Sequence, residues 1–243
     1  MHSSRVRHLM VAILAVFAIS ALVASAASAA APEFKPWCYK KGVGSKYKTK
    51  AACEAGVITT GEWERIHFTS TSGPALLETT EKNKVECASD TDSGELTGPK
   101  TDLVTVRFEG CKAFEETCQS GAVAGVIETK PLKSLLGFIK KTAPIEVGVA
   151  LSPVTGEVLA EFECSKVPIV VKGSVIGVIT PLKTTGVTFT ETFTQAAGVQ
   201  KPTKLEGEPA DVLITSIAGG AFVQSGEATT ATLTMSSATE VTS

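Results

Sequence analysis

The sequence predicts an all-β protein, a sandwich or a partly closed barrel of antiparallel strands. Apolar and polar residues alternate with a period of two in many short segments, and β-branched residues occur along the whole chain after residue 30. Glycine and proline interrupt these segments as turns require, and almost no segment has helical periodicity. The chain of 243 residues is predicted to contain a signal peptide (1–29), an N-terminal disulfide loop segment (30–65) and a β-rich domain (66–243).

The first 29 residues have the composition of a cleavable secretory signal peptide. Arg5 and Arg7 supply a short basic region, and a charge-free apolar run from Leu9 to Val23 follows. That run is shorter than the about 20 residues that a helix needs to span a bilayer. Ala27-Ser28-Ala29 fits the small-residue cleavage rule, Ala24-Ser25-Ala26 also fits it, and an uncleaved anchor is the alternative. These features predict export across the cytoplasmic membrane, hence a secreted or extracellular protein with no stable membrane anchor.

The charge balance argues against a nucleic-acid partner. The sequence has 23 Lys and Arg against 25 Asp and Glu, and removing Arg5 and Arg7 leaves 21 against 25, a net charge of −4. A protein that binds nucleic acid or an anionic membrane needs a basic face, and only Arg65 and Arg107 remain as arginines. The partners are otherwise unknown, and contact with a cell-wall or other extracellular polymer is left open.

The N-terminal segment differs in composition from the rest of the chain. Cys38 and Cys53 bracket a lysine-rich stretch, Lys40–Lys50. The segment also holds every tryptophan and tyrosine of the chain: Trp37, Tyr39, Tyr47 and Trp63. One interpretation is an aromatic, basic loop that binds a glycan or wall polymer. The other, which we favour, is a locally stapled terminus whose aromatic side chains pack on the main domain.

Strand patterns recur from Ile66 to the C-terminus. The clearest alternations predict strands over 104–109, 145–151, 158–164, 187–193, 212–217, 221–224 and 229–235. Pro153 and Gly156 mark a turn that would join the second and third of these as a hairpin. Residues 169–179 are apolar on both faces, which predicts a central strand with bends or bulges at Gly173 and Gly177. Residues 132–139 are the one candidate for a short helix.

The residues that catalysis or metal binding would need are scarce. His67 is the only histidine after the predicted signal peptide and is interpreted as structural. Asp90–Glu95 is interpreted as a polar turn; it is also the only candidate calcium loop, although Glu95 stands where an EF-hand has glycine. Glu161 and Glu163 alternate out of a strand and are predicted to be solvated. The sequence therefore predicts no catalytic, cofactor-binding or metal-binding residue and no cofactor, and it leaves a glycosidase-type carboxylate pair open.

The cysteines predict three disulfides. All six lie after the predicted signal peptide, and an even number in an exported chain favours disulfides over a metal site. Cys87 and Cys164 are each predicted to face the core on different strands, and Cys111 and Cys118 flank a polar turn. The predicted pairs are Cys38–Cys53, Cys87–Cys164 and Cys111–Cys118.

Several segments resemble a group of exported actinobacterial proteins without an established activity. The resemblance covers roughly residues 75–235, outside the segment with Cys38 and Cys53. It is carried by these segments: Val85-Glu86-Cys87, Gly94-Glu95-Leu96-Thr97-Gly98-Pro99-Lys100, Phe108-Glu109-Gly110-Cys111 with Cys118, Gly125-Val126-Ile127-Glu128-Thr129-Lys130-Pro131-Leu132, Leu136-Gly137-Phe138-Ile139, Phe162-Glu163-Cys164 and Val171-Lys172-Gly173-Ser174-Val175-Ile176-Gly177. The resemblance implies export and disulfides, and it carries over no functional residue.

Two classes of function are compatible with these observations. The favoured prediction is a non-catalytic envelope or extracellular protein with a binding or structural role, because His, Asp, Asn and Arg are scarce. The alternative is a secreted hydrolase that acts on wall or environmental polymers with a pair of glutamates.

Overall fold

A computed structural model describes residues 31–243, so the predicted signal peptide lies outside the described residues. Within that range the chain is almost entirely β-strand, with one short helix, α1 (Lys50–Ala55). The predicted all-β class is confirmed. No helix among residues 31–243 is long and apolar enough to cross a membrane.

The strands are short in the first two thirds of the chain and end in one long strand. In chain order they are β1 (Phe34–Lys35), β2 (Cys38–Ser45), β3 (Gly61–Arg65), β4 (His67–Ser72), β5 (Ala75–Thr79), β6 (Lys84–Cys87), β7 (Ser89–Leu96), β8 (Asp102–Glu109), β9 (Lys112–Ala113), β10 (Glu116–Gln119), β11 (Val126–Glu128), β12 (Leu132–Lys140), β13 (Glu146–Pro153), β14 (Val158–Cys164), β15 (Val167–Gly173), β16 (Val175–Thr180), β17 (Gly186–Ala196), β18 (Val199–Lys201), β19 (Leu213–Ile217) and β20 (Val223–Val241). Every pairing between them is antiparallel.

Eight strands pair in a closed ring, which we call the first barrel. The pairings run β8–β12–β13–β16–β17–β20–β4–β7 and return from β7 to β8. The barrel alternative of the sequence prediction is therefore the one observed, and its ring is fully closed. Closure leaves no free edge in this ring, and alternate residues of each strand point into one shared interior.

A second ring of eight strands continues from the first, and we call it the second barrel. Its pairings run β6–β9–β10–β14–β15–β19–β20–β5 and return from β5 to β6. Strand β20 belongs to both barrels: Ser225–Ala228 pair with β5 in the second barrel, and Thr229–Thr234 pair with β17 in the first. The interiors of the two barrels lie on the same face of this shared strand.

The predicted central strand over 169–179 is divided between the two barrels. It breaks at Gly173 into β15 and β16, which belong to the second and first barrels respectively. Gly173 has a φ of +100°, and a Cβ there would lie 1.8 Å from the carbonyl oxygen of Val212. Only glycine fits this position, so the predicted bend at Gly173 is confirmed. Gly177 lies inside β16, and its missing side chain makes room for Glu191.

Two local predictions were wrong. Residues 132–139 form strand β12 and not a helix, because the alternating Leu132, Ser134 and Leu136 are buried in the first barrel. The predicted hairpin over 145–164 is absent from the pairings: β13 pairs with β12 and β16, whereas β14 pairs with β10 and β15. The intervening turn carries the chain from one barrel to the other.

The disulfides correct two of the three predicted pairs. Cys38–Cys53 is present as predicted, but Cys87 is bonded to Cys111 and Cys118 to Cys164. Both of these bonds join adjacent strands, with Cα atoms 3.9 and 4.0 Å apart. The predicted Cys87–Cys164 and Cys111–Cys118 pairs were wrong because sequence spacing does not show which strands are neighbours.

The N-terminal segment is joined to the first barrel in two ways, by strand pairing and by the chain that runs from β3 into β4. Strand β1 pairs with the end of β20, and β2 and β3 form a separate two-stranded sheet stapled to α1 by Cys38–Cys53. Arg65 lies over the rings of Trp37 and Tyr47, at 5.8 and 5.5 Å from their centroids. Trp37 also packs against the main core, as the favoured interpretation of this segment expects.

Candidate functional site in the first barrel

Five carboxylic side chains line a cavity inside the first barrel, and we call this cavity the acidic chamber. They are Asp90, Asp92, Asp102, Glu191 and Glu227. The chamber has an open volume of about 50 Å³. Because a cavity needs at least roughly 10–15 Å³ to hold one water, the chamber has room for more than one water-sized group.

Strand β7 places two of these carboxylates. Asp90 and Asp92 are two residues apart, so both point to the same face of the strand, into the barrel. Strand β4 lies alongside with Ser70 directly opposite Asp92, and Ser72 is the next inward residue, opposite Asp90. Each serine hydroxyl donates a hydrogen bond to Oδ2 of the aspartate opposite it. These cross-strand pairs fix the orientation of both carboxylates.

Strand β8 places the third carboxylate in the same way. Asp102 is buried, and Ser134 on the neighbouring β12 donates to its Oδ2. The backbone N–H of Asp102 in turn donates to the Ser134 hydroxyl at 3.2 Å. Three serine–aspartate pairs, two on β4 and β7 and one on β12 and β8, therefore form a polar band in the chamber wall.

The two glutamates come from β17 and β20. Glu191 lies between Phe189 and Phe193 on the inward face of β17, and all three are buried. A Cβ at Gly177 would lie 2.6 Å from both Cγ and Oε1 of Glu191, so this side chain packs directly on the glycine backbone. Glu227 is half-buried and lies where β20 passes from the second barrel to the first.

Several carboxylate oxygens in the chamber have no hydrogen-bond partner among residues 31–243. They are Asp92 Oδ1, Asp102 Oδ1 and Glu191 Oε1. Asp102 is 5 % exposed and Glu191 is 8 % exposed, so water outside the protein hardly reaches either side chain. A buried polar atom without a partner costs free energy of about 1–3 kcal/mol, and more when it is charged. Native proteins keep such groups where a function requires them or where a bound molecule satisfies them.

Burial and mutual repulsion raise the pKa values of these carboxyl groups. Burial raises the pKa of both Asp92 and Asp102 to about 6, although their serine partners oppose the shift. Burial, and then the charge of Asp90, raise the pKa of Glu227 to about 8. The pKa of Glu191 lies well above its usual range, first because of burial and second because of the charges of Asp102 and Asp92. Burial also raises the pKa of Asp90.

Apart from Thr129 and Thr229, the rest of the chamber wall is apolar and aromatic. Four phenylalanines line it, at positions 34, 68, 108 and 193, together with Leu, Val, Ile and Met side chains. No Lys, Arg or His is among the described residues that line the chamber. The wall therefore combines carboxylate oxygens with aromatic faces, and both attract a cation.

A second cavity, in the second barrel, adjoins the first, and we call it the apolar chamber. Its open volume is about 60 Å³. Aliphatic and aromatic side chains line it, and Glu227 is its only charged residue among those described. Phe108, Leu159 and Glu227 line both chambers. The two cavities thus face each other across these three side chains.

The residues singled out from the sequence lie in different places. His67 is half-exposed at one end of β4, with Nε2 at 3.6 Å from Glu64 Oε1 and 3.5 Å from Glu95 Oε2. Asp90–Glu95 is not the predicted polar turn but part of strand β7, with Asp90 and Asp92 pointing inward. Glu161 and Glu163 are exposed, as predicted. Among the residues described, no group of three His, Cys, Asp or Glu side chains is arranged to hold a metal ion.

Sequence reasoning missed Glu191, Asp102 and Glu227 as site residues. A signal was present for Glu191, because it follows Phe189 and precedes Phe193 at the period-two positions that face a core. A carboxylate at such a position is an exception to the alternation and marks either a buried site or a register change. Asp102 and Glu227 stand at ends of apolar alternations and gave no comparable signal.

No family model, no curated protein and no solved structure matches the chain.

Proposed function

We propose that this chain is an exported, non-catalytic binding protein that holds a small organic cation in the acidic chamber. The observation that carries the proposal is the set of unpartnered, buried carboxylate oxygens on Asp92, Asp102 and Glu191. A protonated primary amine has three N–H donors, which equals the number of unpartnered oxygens. Its positive charge would also offset the repulsion among the five carboxylates of the chamber.

The aromatic part of the wall supports an organic cation over a bare metal ion. Phe193 lies next to Glu191 on the inward face of β17, and Phe68 lines the chamber from β4. Phenylalanine faces stabilise alkylammonium groups by cation–π contact and by apolar packing of the carbon atoms. They offer no oxygen, nitrogen or sulfur ligand to a metal.

The three disulfides support the exported part of the proposal. They indicate an oxidising environment such as the outside of a cell, in which disulfides form and persist. Two of them staple the strands of the second barrel, which keeps the ring closed around its interior. Secretion by a signal peptide over 1–29 is part of the proposal.

The hydrolase alternative receives less support from this geometry. Cleavage of a wall polymer requires a cleft in which a chain of sugars or amino acids lies beside an acid and a base. The raised pKa values of Glu191 and Glu227 would suit such chemistry, but these groups lie in a chamber of about 50 Å³ inside a closed ring. Glu161 and Glu163, the surface candidates, lie on the exposed face of β14.

Calorimetric titration with propylamine tests the proposal. The protein is held at about pH 8 in an amine-free phosphate buffer, where an alkylamine remains protonated. We expect saturable one-to-one binding with a Kd on the order of 1 mM or tighter, since very small ligands gain up to about 1.5 kcal/mol per non-hydrogen atom. The Glu191→Gln variant should weaken binding at least about tenfold, since it replaces one acceptor oxygen of the chamber by an amide N–H₂ donor.

A matched variant and competing ions serve as controls for this titration. Glu163→Gln makes the same chemical change on the exposed face of β14 and should leave binding unchanged. If propylamine does not bind, or binds Glu191→Gln as tightly as the parent, the proposal is wrong. Tighter binding of Ca²⁺, Mg²⁺ or K⁺ than of propylamine, lost in Glu191→Gln, would replace the organic cation by a metal ion.

A further inference from the structure

We infer that the natural ligand is an amphiphilic amine whose ammonium group occupies the acidic chamber and whose alkyl chain extends into the apolar chamber. This inference rests on the proposed function and names the chemical class of its ligand. The observation behind it is that Phe108, Leu159 and Glu227 line both cavities. A ligand that filled only the acidic chamber would leave an apolar void directly beside it.

The acidic chamber and the apolar chamber lie next to each other and differ in polarity. The acidic chamber holds five carboxylates, whereas the apolar chamber has only Glu227, which both chambers share. Strand β20 runs along both, with its Ser225–Ala228 stretch in the second barrel and Thr229–Thr234 in the first. A molecule with one charged end and one apolar end matches this order of chemistries.

Glu227 stands at the boundary between head group and chain. Its carboxylate is half-buried, and Asp90 is the charged group that acts on it most strongly. An ammonium group bound to the unpartnered oxygens of Asp92, Asp102 and Glu191 would leave Glu227 beside the first carbon atoms of the ligand. The first carbon atoms of the ligand would then pass between Phe108 and Leu159.

Both chambers have open space for part of a ligand. The acidic chamber has about 50 Å³ and the apolar chamber about 60 Å³, and each exceeds the roughly 10–15 Å³ that a single buried water needs. A linear amine that starts in the acidic chamber can therefore extend into the apolar one. A side-chain rotation of Phe108, which is half-buried, would connect the two spaces.

A series of straight-chain amines tests the inference on the full folded protein. Calorimetric Kd values are measured for propylamine, pentylamine, octylamine and dodecylamine at about pH 8, below their micelle concentrations. We expect the affinity to rise about fourfold per methylene group, which corresponds to about 0.8 kcal/mol for each buried CH₂, until the alkyl chain fills the apolar chamber. Beyond that length the affinity should stay level or fall, because both chambers are full.

Variants that fill only the apolar chamber separate the two parts of the ligand. Ala160 lines the apolar chamber and not the acidic one, so Ala160→Leu should abolish the gain from propylamine to octylamine and leave propylamine binding unchanged. Leu76→Phe makes a similar change at a half-buried position of the same chamber, in case the fully buried Ala160 site does not accept a larger side chain. Octanol serves as the ligand without a charge.

The outcomes distinguish this inference from the proposed function. If propylamine binds but octylamine binds no more tightly, the alkyl-chain inference is wrong and the proposed cation site stands. If no amine binds, both are wrong. If octanol binds as tightly as octylamine, the ammonium group contributes nothing to binding and the inference is overturned. If Ala160→Leu and Leu76→Phe retain the full gain with chain length, the chain does not lie in the apolar chamber and the inference is likewise overturned.

Discussion

The backbone N–H of Cys118 donates a hydrogen bond to the carbonyl oxygen of Cys111 at 3.0 Å, yet the sulfur atoms of these two residues are bonded to other strands. The backbone N–H of Cys111 donates instead to the carbonyl oxygen of Gly125, so the two cysteines share one hydrogen bond and not the reciprocal two of a hydrogen-bonded ladder pair. Cys111 is bonded to Cys87, and Cys118 is bonded to Cys164, directly opposite on β14. The hairpin of β9 and β10 is stapled to its neighbours on both sides.

The first prediction concerns these two staples. The loops that they close span 24 and 46 residues, worth about 3.5 and about 4 kcal/mol in the chain-entropy model. Replacing Cys118 and Cys164 by Ala should therefore lower the melting temperature slightly more than replacing Cys87 and Cys111. Differential scanning calorimetry of the two double variants measures the difference.

Peptide mapping without reduction checks the pairing itself. We expect peptides that link Cys87 to Cys111 and Cys118 to Cys164. A peptide that links Cys111 to Cys118 would contradict the structure. Strand β9 pairs with β6 only through Glu86 and Lys112. When both disulfides are removed, we therefore expect the second barrel to unfold before the first.

The second prediction concerns pH. The carboxyl groups of Asp92 and Asp102 have pKa values of about 6 in the folded protein, and Glu227 has a pKa of about 8. These values lie above those of the unfolded chain, so the folded state binds protons more tightly. The resulting stability is present in full below the unfolded pKa values and is lost as pH rises through the folded ones. The free energy of unfolding should therefore fall steadily between about pH 4 and pH 9.

The Asp102→Asn variant is the control for this pH dependence. It keeps an acceptor for the Ser134 hydroxyl and removes one buried charge. At about pH 8 it should be more stable than the parent, and at about pH 4 the two should be nearly equal, because Asp102 is then protonated. Urea unfolding at the two pH values measures the change. A parent protein whose stability rises from pH 4 to pH 8, or an Asp102→Asn variant less stable at pH 8, would show that these carboxyls are not buried as described.

The third prediction concerns the junction between the barrels. At Gly173 a new Cβ would lie 1.8 Å from the Val212 carbonyl oxygen, and φ is +100°. Gly156 also has a positive φ, of +69°, but nothing lies within 4 Å of a Cβ placed there. Gly156→Ala should cost about 1 kcal/mol from backbone strain alone, whereas Gly173→Ala should cost several times more. Equal losses in thermal denaturation would rule out the close approach at Gly173.

The all-β fold was predictable from the sequence because the alternation of apolar and polar residues shows which face of each strand is buried. Val104 and Phe108, for example, alternate with Thr105 and Arg107, and β8 is found where that pattern lies. The sequence contains no comparable pattern that shows which strands pair with each other. The hairpin over 145–164 and the disulfide of Cys87 were both predicted wrongly for this reason, since each depends on which strand lies next to which.

The acidic chamber was harder to predict for a related reason. Its carboxylates come from β7, β8, β17 and β20, and only closure of the ring brings these strands around one interior. Asp90 and Asp92 were interpreted as solvated turn residues because aspartate is rare in strands and common in turns. Ser70 and Ser72 of β4 stabilise their inward orientation, because the two serine hydroxyls donate hydrogen bonds to the two carboxylates.

The fourth prediction concerns the space that Gly177 leaves for Glu191. A Cβ at position 177 would lie 2.6 Å from Oε1 of Glu191 and 2.8 Å from Cζ of Phe193. The Gly177→Ala variant should therefore displace the Glu191 carboxylate and weaken propylamine binding at least about tenfold, the loss expected for a charge-assisted hydrogen bond.

Gly148→Ala is the matched control for that variant. The atoms nearest to a Cβ at Gly148 belong to the side chains of Ile139 and Ile176, each at 2.8 Å, and none of these three residues lines the acidic chamber. Both variants overcrowd a packed interior and should lose similar stability, about 1–3 kcal/mol, whereas only Gly177→Ala should lose affinity for the amine. Stability is measured by urea unfolding and affinity by calorimetry. If both variants bind propylamine equally well, the position of the Glu191 carboxylate does not determine binding, and the ammonium group must be held by the aspartates alone.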